Sequence, residues 1–455
     1  MATIFAQKAL LPAGWADNVR LSVEEGRIES IRCEVRPDDG DVLAECLIPG
    51  LCNSHSHAFQ RALAGRTEER SPAGQDNFWT WRERMYELAA AMSADRLRAI
   101  ARQAYVEMVS SGYTSVAEFH YLHREPGRDQ GDDVMFEAIR DAAQDSGIRL
   151  TYVPVLYERA GFDQPEANVS QRLFALDLEG FLAHHKRVSS QTADRLSVGI
   201  GAHSIRAVSP AAVGEIAAAA KSAGCPMHLH IAEQQREVDQ CLAHHERRPV
   251  RWLLENYDVD SSWCLVHATH MDAEEIEQLA ASRAVVSLCP STEANLGDGL
   301  FPLGDYLQHD GRIAIGSDSH VTINPFEELR WLEYGQRLAT QSRNIASRRN
   351  SHVGRELFER AVEGGAAACG LDTSGITEGA AADLVTLFGE DPMLVGHDDA
   401  SRLDALVFSG YQLPIESVMV SGEWLVVMGE HKARQESREA YAQAVRDLGV
   451  FGDRA

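Results

Sequence analysis

Four apolar runs of this chain end in residues that bind metals. His55 and His57 close CLIPGLCNSHSH, and His228 and His230 lie in PMHLHIA with Glu233 three residues further on. His267 and His270 follow WCLV, and Asp318 and His320 follow RIAIGS. One apolar run ending in histidine means little, because such a side chain is more often packed and hydrogen-bonded than ligating. Four runs ending this way point to a single ion. Residues two apart on a strand face the same side, so His55 and His57 can address one point. The same spacing leaves His228 and His230 equivalent by geometry, and His230, nearer the C-terminal end of its run, is the expected ligand. Imidazole nitrogen and carboxylate oxygen without thiolate suit zinc, with iron or manganese as other options. Three histidines and one aspartate leave a place for water, whose pKa zinc lowers to about 7.

Something must bring these ends together. Eight apolar runs can be counted: 46–55, 113–119, 149–157, 196–203, 226–232, 263–268, 284–290 and 312–318. Helical patterns such as DRLRAIARQAYVEMVSSG, PAAVGEIAAAAKSAG and DAEEIEQLAASR separate them. Continuous rather than alternating apolar runs are the mark of buried parallel strands. Eight strand–helix units predict an α/β fold, a (β/α)8 TIM-like barrel over 49–371, with the site at the C-terminal ends of its strands. An open doubly wound sheet is the alternative, but no Gly-x-Gly-x-x-Gly follows any run. The ends of the chain have another texture. VRLSVEEGRIESI alternates around Glu25-Gly26 as a hairpin does, and strand-like runs return at 382–388, 405–410 and 418–430. Segments 1–48 and 372–430 are therefore expected to combine into a small β-sandwich. Residues 431–455 read as an exposed helix with a loose tail, and 125–145 is poorly patterned.

Composition narrows the function. Forty-three Lys+Arg against 68 Asp+Glu give a net charge of −25, which argues against nucleic acid or an anionic membrane surface as partner. No stretch approaches the roughly 20 apolar residues of a membrane-spanning helix, and the N-terminus lacks a signal-peptide pattern. The eight cysteines include no Cys-x-x-Cys pair, which excludes a cytidine-deaminase zinc signature and fits buried, reduced thiols. A cytoplasmic location is expected.

PGLCNSHSH, HLHIAE, LVHATH and IGSDSH, in this order, resemble the motifs of the amidohydrolase superfamily of metal-dependent barrel hydrolases. In its deaminase branch the resemblance implies His55, His57, His230 and Asp318 as metal ligands. It also implies Glu233 as proton shuttle and His267 as the contact to the reacting water and substrate. Binuclear members bridge two metals with a carboxylated lysine or a glutamate. The only lysines here are at 8, 186, 221 and 432, none ending a run, so one divalent ion is expected. Glu118 is the only nearby bridging candidate, and a structural or substrate contact is expected of it instead. Closer still, SHSHAFQRALAG, FWTWRERMYEL, GYTSVAEFHYLH, HSIRAV, HLHIAEQQREVDQC, CPSTEANLGDG and GSDSHVTINPFEELRWLEYGQR are similar, nearly end to end, to the bacterial formimidoylglutamate deiminases of histidine degradation. That resemblance implies hydrolysis of N-formimidoyl-L-glutamate to N-formyl-L-glutamate and ammonia, with Asp318 as general base, and a homodimer.

Such a substrate is a small dicarboxylate, and arginine binds carboxylates through its planar fork. Arg82 after the first run and Arg206 after the fourth are the candidates, with Gln60, Tyr121 and His203 beside them; Arg61 ranks lower. A guanine-type nucleobase aminohydrolase would share the metal and shuttle residues but would not need two arginines. A non-catalytic metal protein is disfavoured by the intact ligand and shuttle set. The purified protein is expected to hold about one divalent ion per chain, lost in His55→Ala and in Asp318→Ala; two tightly bound ions by elemental analysis would defeat the mononuclear reading.

Overall fold

The protein is described from a computed structural model covering residues 2–70, 74, 76–127, 133–371, 373–410 and 412–449. The chain begins with β1 (Ala2–Leu11), β2 (Gly14–Glu24), β3 (Arg27–Arg32) and β4 (Val42–Pro49). The barrel follows: β5 (Leu51–Ser56), β6 (Tyr113–His120), β7 (Arg149–Leu156), β8 (Leu196–Val198) with β9 (Ile200–Ser204), β10 (Met227–Ile231), β11 (Trp263–His267), β12 (Val285–Leu288) and β13 (Arg312–Ile315). Every apolar run of the sequence supplies one barrel strand, the fourth broken in two at Gly199. Neighbouring barrel strands pair in parallel from β5 round to β13. Ser56 and Asp318 bridge the ends of the row and close it.

The helices between strands start and stop where local chemistry dictates. They are α1 (Phe78–Ala90), α2 (Ala94–Ser110), α3 (Val134–Ser146), α4 (Leu178–Ser189), α5 (Pro210–Ala223), α6 (Gln235–His245), α7 (Pro249–Asn256), α8 (Ala273–Ser282), α9 (Pro290–Leu296), α10 (Leu303–Gln308), α11 (Pro325–Thr340) and α12 (Val353–Ala368). Asn77, Ser93, Asp177, Ser209, Asp272 and Asn324 accept hydrogen bonds from first-turn amides, satisfying donors that a helix cannot pair internally. Part of the weakly patterned stretch 125–145 folds as α3, whose apolar face carries Met135, Phe136, Ile139 and Ala142.

Both chain ends build the second sheet. β14 (Leu384–Leu387), β15 (Ile415–Val420), β16 (Glu423–Val427) and β17 (Glu430–His431) continue it from β4 in the order β17-β16-β15-β14-β4-β1-β2-β3. The sheet curls, so that residues 379–382 lie against the start of β3, with Ile28 N donating to Ala380 O at 2.9 Å. Side chains alternate across it. Leu47, Leu384 and Met419 join Ile4, Leu21 and Val23 in a core of their own, while Cys46, Ile48, Val385, Leu387 and Val418 face the large barrel core.

The first run, 46–55, spans both sheets. β4 ends at Pro49 and β5 starts at Leu51. At Gly50 the chain passes so close to Thr114 that a Cβ would lie 2.2 Å from its Cγ2. The strand expected at 405–410 is instead part of α13 (Arg402–Phe408). A short apolar run bounded by Gly does not distinguish strand from buried helix, and packing against α11 and α12 decides for helix. The C-terminal helix α14 (Arg434–Leu448) docks on α2 rather than standing exposed. Ala444 and Leu448 are buried, Ser437 Oγ donates to Gln103 at 2.9 Å, and Arg102 pairs with Glu436. The tail expected beyond it, 450–455, lies outside the described residues. Among the described residues no helix is long and apolar enough to cross a membrane.

α12 packs against β13 and β5 beneath the site. A Cβ on Gly364 would lie 1.9 Å from the Ile313 carbonyl oxygen. Gly364→Ala is expected to destabilise by about 1–3 kcal/mol or more through overpacking, measured as a lower melting temperature. Gly214→Ala, in α5 with only a 3.7 Å approach to Tyr257, should be neutral or stabilising by up to about 1 kcal/mol.

Candidate metal centre and active-site cleft

Strand ends β5 and β10 aim three imidazoles at one point. His55 Nε2 lies 3.1 Å from His57 Nε2 and 3.0 Å from His230 Nε2. Their tautomers follow from the outer nitrogens. His57 Nδ1 is 2.8 Å from the Phe119 carbonyl, and His230 Nδ1 is 3.0 Å from the His203 carbonyl. A carbonyl can only accept, so both Nδ1 atoms carry hydrogen and both Nε2 atoms present lone pairs to the centre. Burial holds His57 down to about 3 and keeps His55 and His230 well below the ordinary histidine range. Neutral imidazoles with converging lone pairs repel one another unless a cation lies between them, and carbonyl-fixed outer nitrogens are the usual support of metal-binding histidines. The donor set therefore fits a divalent metal.

Asp318 completes the ring from the far side of the closure. Its Oδ1 is 3.4 Å from His57 Nε2 and 3.8 Å from His55 Nε2. Its Oδ2 is 3.7 Å from His267 Nε2. Burial pushes the Asp318 carboxyl up to about 7, with Glu233 and Glu293 adding to the rise against the opposing pull of His267. A neighbouring divalent cation would reverse that shift.

His267 sits among carboxylates. Its Nε2 is 3.8 Å from Glu233 Oε1, and its Nδ1 is 3.1 Å from Glu293 Oε1. Burial alone would depress this imidazole, but Glu233, the hydrogen-bonded Glu293 and Asp318 outweigh it and carry His267 up to about 10. The backbone here is strained: φ is +70° at His267, +49° at Ala268 and +47° at Asp318. Such conformations cost on the order of 1–3 kcal/mol each for residues other than glycine and collect at functional sites. Hydrogen bonds from Ala268 N to Ile231 O and from Asp318 N to His55 O hold them, each at 3.0 Å.

His228 faces the same side as His230, but two residues lower, a rise of about 6.6 Å along a strand. Its Nε2 donates to the Ala368 carbonyl at 2.8 Å, so it seals the barrel floor. His270 and His320 also lie off the centre, bonded to Asp298 O and to Ser56 and Ser317. Glu118 spends both oxygens on Ser56, Ala58 N and Tyr105, which gives it a structural role in the turn after β5; burial pushes it up to about 7.

The cleft above these groups, about 520 Å³ counting the space open to solvent, is lined by Gln60, Arg82, Tyr121, His203, Arg206, Glu233, His267 and Asp318 together with Trp81, Tyr86, Tyr157 and Phe174. The structure thus brings Gln60, Arg82, Tyr121, His203 and Arg206 to one space with Glu233, His267 and Asp318. Arg61 is outside, tied to Glu107. Gln60 Nε2 donates to Tyr121 Oη at 2.8 Å, leaving Gln60 Oε1 buried without a donor. Arg82 Nε and Nη1 and Arg206 Nη1 are likewise buried without an acceptor.

Three supporting residues escape sequence reasoning. Glu293 is on α9, five residues after the end of β12, whereas Glu233 comes two residues after β10, so no shared spacing marked it. Glu237 accepts from Ala232 N and Glu233 N and so fixes the turn carrying Glu233. Cys289 stands with His267 and Asp318, their ligand atoms within 4.8 Å of one another; burial pushes its thiol well up, so it remains protonated.

Known proteins bear on this arrangement. The model of the "Amidohydrolase family" matches residues 46–425, and that of "Formimidoylglutamate deiminase HutF, N-terminal domain" matches residues 1–45. A formimidoylglutamate deiminase of Pseudomonas aeruginosa is 45% identical, covering 98% of this chain and all of its own. A 5-methylthioadenosine/S-adenosylhomocysteine deaminase of Halobacterium salinarum is 27% identical over 95% of this chain and 94% of its own. Among solved structures, an amidohydrolase from Brucella melitensis superposes with a TM-score of 0.94 at 39% identity, covering 98% of this chain and 100% of its own. An atrazine chlorohydrolase from Arthrobacter aurescens, complexed with zinc, shares the fold with a TM-score of 0.85 at 20% identity over 98% and 100%.

Removing the carboxylate behind His267 tests its importance. Glu293→Ala is expected to lower turnover about 10–100-fold, the usual effect of losing an orienting partner, with bound metal unchanged by elemental analysis.

Proposed function

The chain belongs to the amidohydrolase family, on its formimidoylglutamate deiminase branch, and from that premise we propose that it hydrolyses N-formimidoyl-L-glutamate to N-formyl-L-glutamate and ammonia. The observation that carries the substrate is the pair of arginines, Arg82 and Arg206, whose buried N–H groups lack acceptors in a cleft beside the metal ligands. A buried, unpaired guanidinium is costly, and a substrate with two carboxylates removes that cost. A neutral nucleobase would leave it in place.

His55, His57, His230 and Asp318 would hold one divalent ion, zinc by the chemistry of its donors. When bound, it supplies the Lewis acidity that makes a water nucleophilic near neutral pH. The side chains account for the rest. The water oxygen attacks the formimidoyl carbon, and Asp318 Oδ2 accepts the proton released. His267, oriented by Glu293, hydrogen-bonds the oxygen that becomes the product carbonyl. Glu233, as a carboxylate, pairs with the cationic formimidoyl nitrogen, takes the second proton of the attacking oxygen and passes it to that nitrogen as the carbon–nitrogen bond breaks, so that ammonia leaves. Gln60 Oε1 and Tyr121 offer polar contacts to the bound chain, and His203 closes the wall between Tyr157 and His230, its ring centroid 4.6 Å and 5.0 Å from theirs. The eight unpaired cysteines suit a reducing cytoplasm, where this reading places the enzyme.

Losing a charged partner of a buried carboxylate costs about 2–5 kcal/mol, a factor of roughly 30 to several thousand. Arg206→Ala and Arg82→Ala are each expected to lower kcat/KM for N-formimidoyl-L-glutamate by that order, with metal content unchanged. Normal turnover in both variants, or faster ammonia release from guanine by the wild type, would remove the substrate assignment.

A further inference from the structure

A third arginine belongs with Arg82 and Arg206. Trp79, in the first turn of α1, has three guanidiniums over its ring, with Arg236 at 4.4 Å from the centroid, Arg82 at 4.5 Å and Arg206 at 5.8 Å. They are graded in depth: Arg206 is buried, Arg82 half-buried and Arg236 exposed. Arg236 lies in the first turn of α6, three residues beyond Glu233. Among the described residues no carboxylate forms a salt bridge with any of the three, though Glu237 and Glu233 act on Arg206 from a greater distance, in a chain with 68 acidic residues for 43 basic ones. Stacking on an indole uses the face of a guanidinium and leaves its in-plane N–H fork free for a carboxylate.

Resting on the dicarboxylate reading above, we propose that Arg236 is a specificity-determining residue, the outer member of a three-guanidinium track that captures dianions at the cleft mouth. The physical need is local. A net charge of −25 repels a dianion at long range, and screening confines surface charges to about 8–10 Å in ordinary salt. Only cations at the entrance can reverse the field where the substrate arrives. Arg206 is too deep to do this, whereas Arg236 meets solvent. The Trp79 ring ties the exposed Arg236 to the inner two, its centroid within 5.8 Å of all three guanidinium carbons.

The test compares wild type, Arg236→Gln and Arg236→Lys at low and high salt, by steady-state kinetics with N-formimidoyl-L-glutamate and by calorimetric titration with glutarate. For Arg236→Gln the expected result is about tenfold lower kcat/KM at low salt, the lower end of steering effects. The change is carried by KM, with a flattened salt dependence, weaker glutarate binding and kcat within about twofold of wild type. Arg236→Lys should restore much of the salt dependence. Unchanged kcat/KM, glutarate affinity and salt slope in Arg236→Gln would overturn the role of Arg236, as would a loss confined to kcat. If the wild type releases no ammonia from N-formimidoyl-L-glutamate yet binds glutarate in a salt- and Arg236-dependent way, the substrate reading fails while the guanidinium track stands.

Discussion

Asp318 N donates to His55 O and His57 N donates to Asp318 O, at 3.0 and 3.1 Å. These two bonds close the barrel, and they are made by the residues whose side chains form the metal centre. β5 and β13 are the first and last strands, so the aspartate reaches the histidines only if the six strands between them have the right tilt and stagger. Gly316 shows how tight the seam is: a Cβ there would lie 2.8 Å from the His55 Cβ. A side chain at that position would push the last strand off the first and separate Asp318 from His55 and His57. Folding of the barrel and assembly of the centre are thus one event.

The charge distribution follows from that seam. It gathers Asp318, Glu233 and Glu293 around His267 and leaves three neutral imidazoles facing one another. Without a cation this is an expensive arrangement, visible in Asp318 pushed up to about 7 and His267 carried to about 10. Glu118 marks the contrast. It is equally buried but fully supplied with donors from Ser56, Ala58 and Tyr105, and its task is to hold the turn after β5. Two carboxylates on either side of β5 thus take different work because one is held by three protein donors and the other faces the imidazoles.

The second sheet steadies the seam from below. β4 runs into β5 through Gly50, whose amide donates to Asp383 O at 3.0 Å, and Asp383 pairs with Arg149 of β7 at 2.8 Å. The strand that carries His55 and His57 is therefore anchored at its start to a sheet made from both ends of the chain. The metal side of the cleft is built on barrel strands anchored in this way. The opposite side, with Trp79, Arg82 and Arg236, is built on helices and stacked rings.

Much of this was legible without coordinates. Eight apolar runs became eight strands because continuous apolar character leaves a buried parallel strand few alternatives, and the hairpin at Glu25-Gly26 formed because both residues take positive φ, +49° and +77°. The two-residue spacing placed His55 and His57 on one side by strand geometry alone. Local rules could not separate strand from helix at 405–410, where packing against α11 and α12 decides. They could not choose between His228 and His230, since both face inward and only the Ala368 carbonyl beneath one of them settles the matter. Glu293 and Glu237 act on residues near in space through bonds that no spacing rule encodes, and the C-terminal helix reads as solvated until α2 is there to receive it. The sequence by itself determined which residue types end which strands, because periodicity is a local property of the chain. The tertiary structure decided which of those residues meet, because barrel closure and long-range packing set distances between positions hundreds of residues apart.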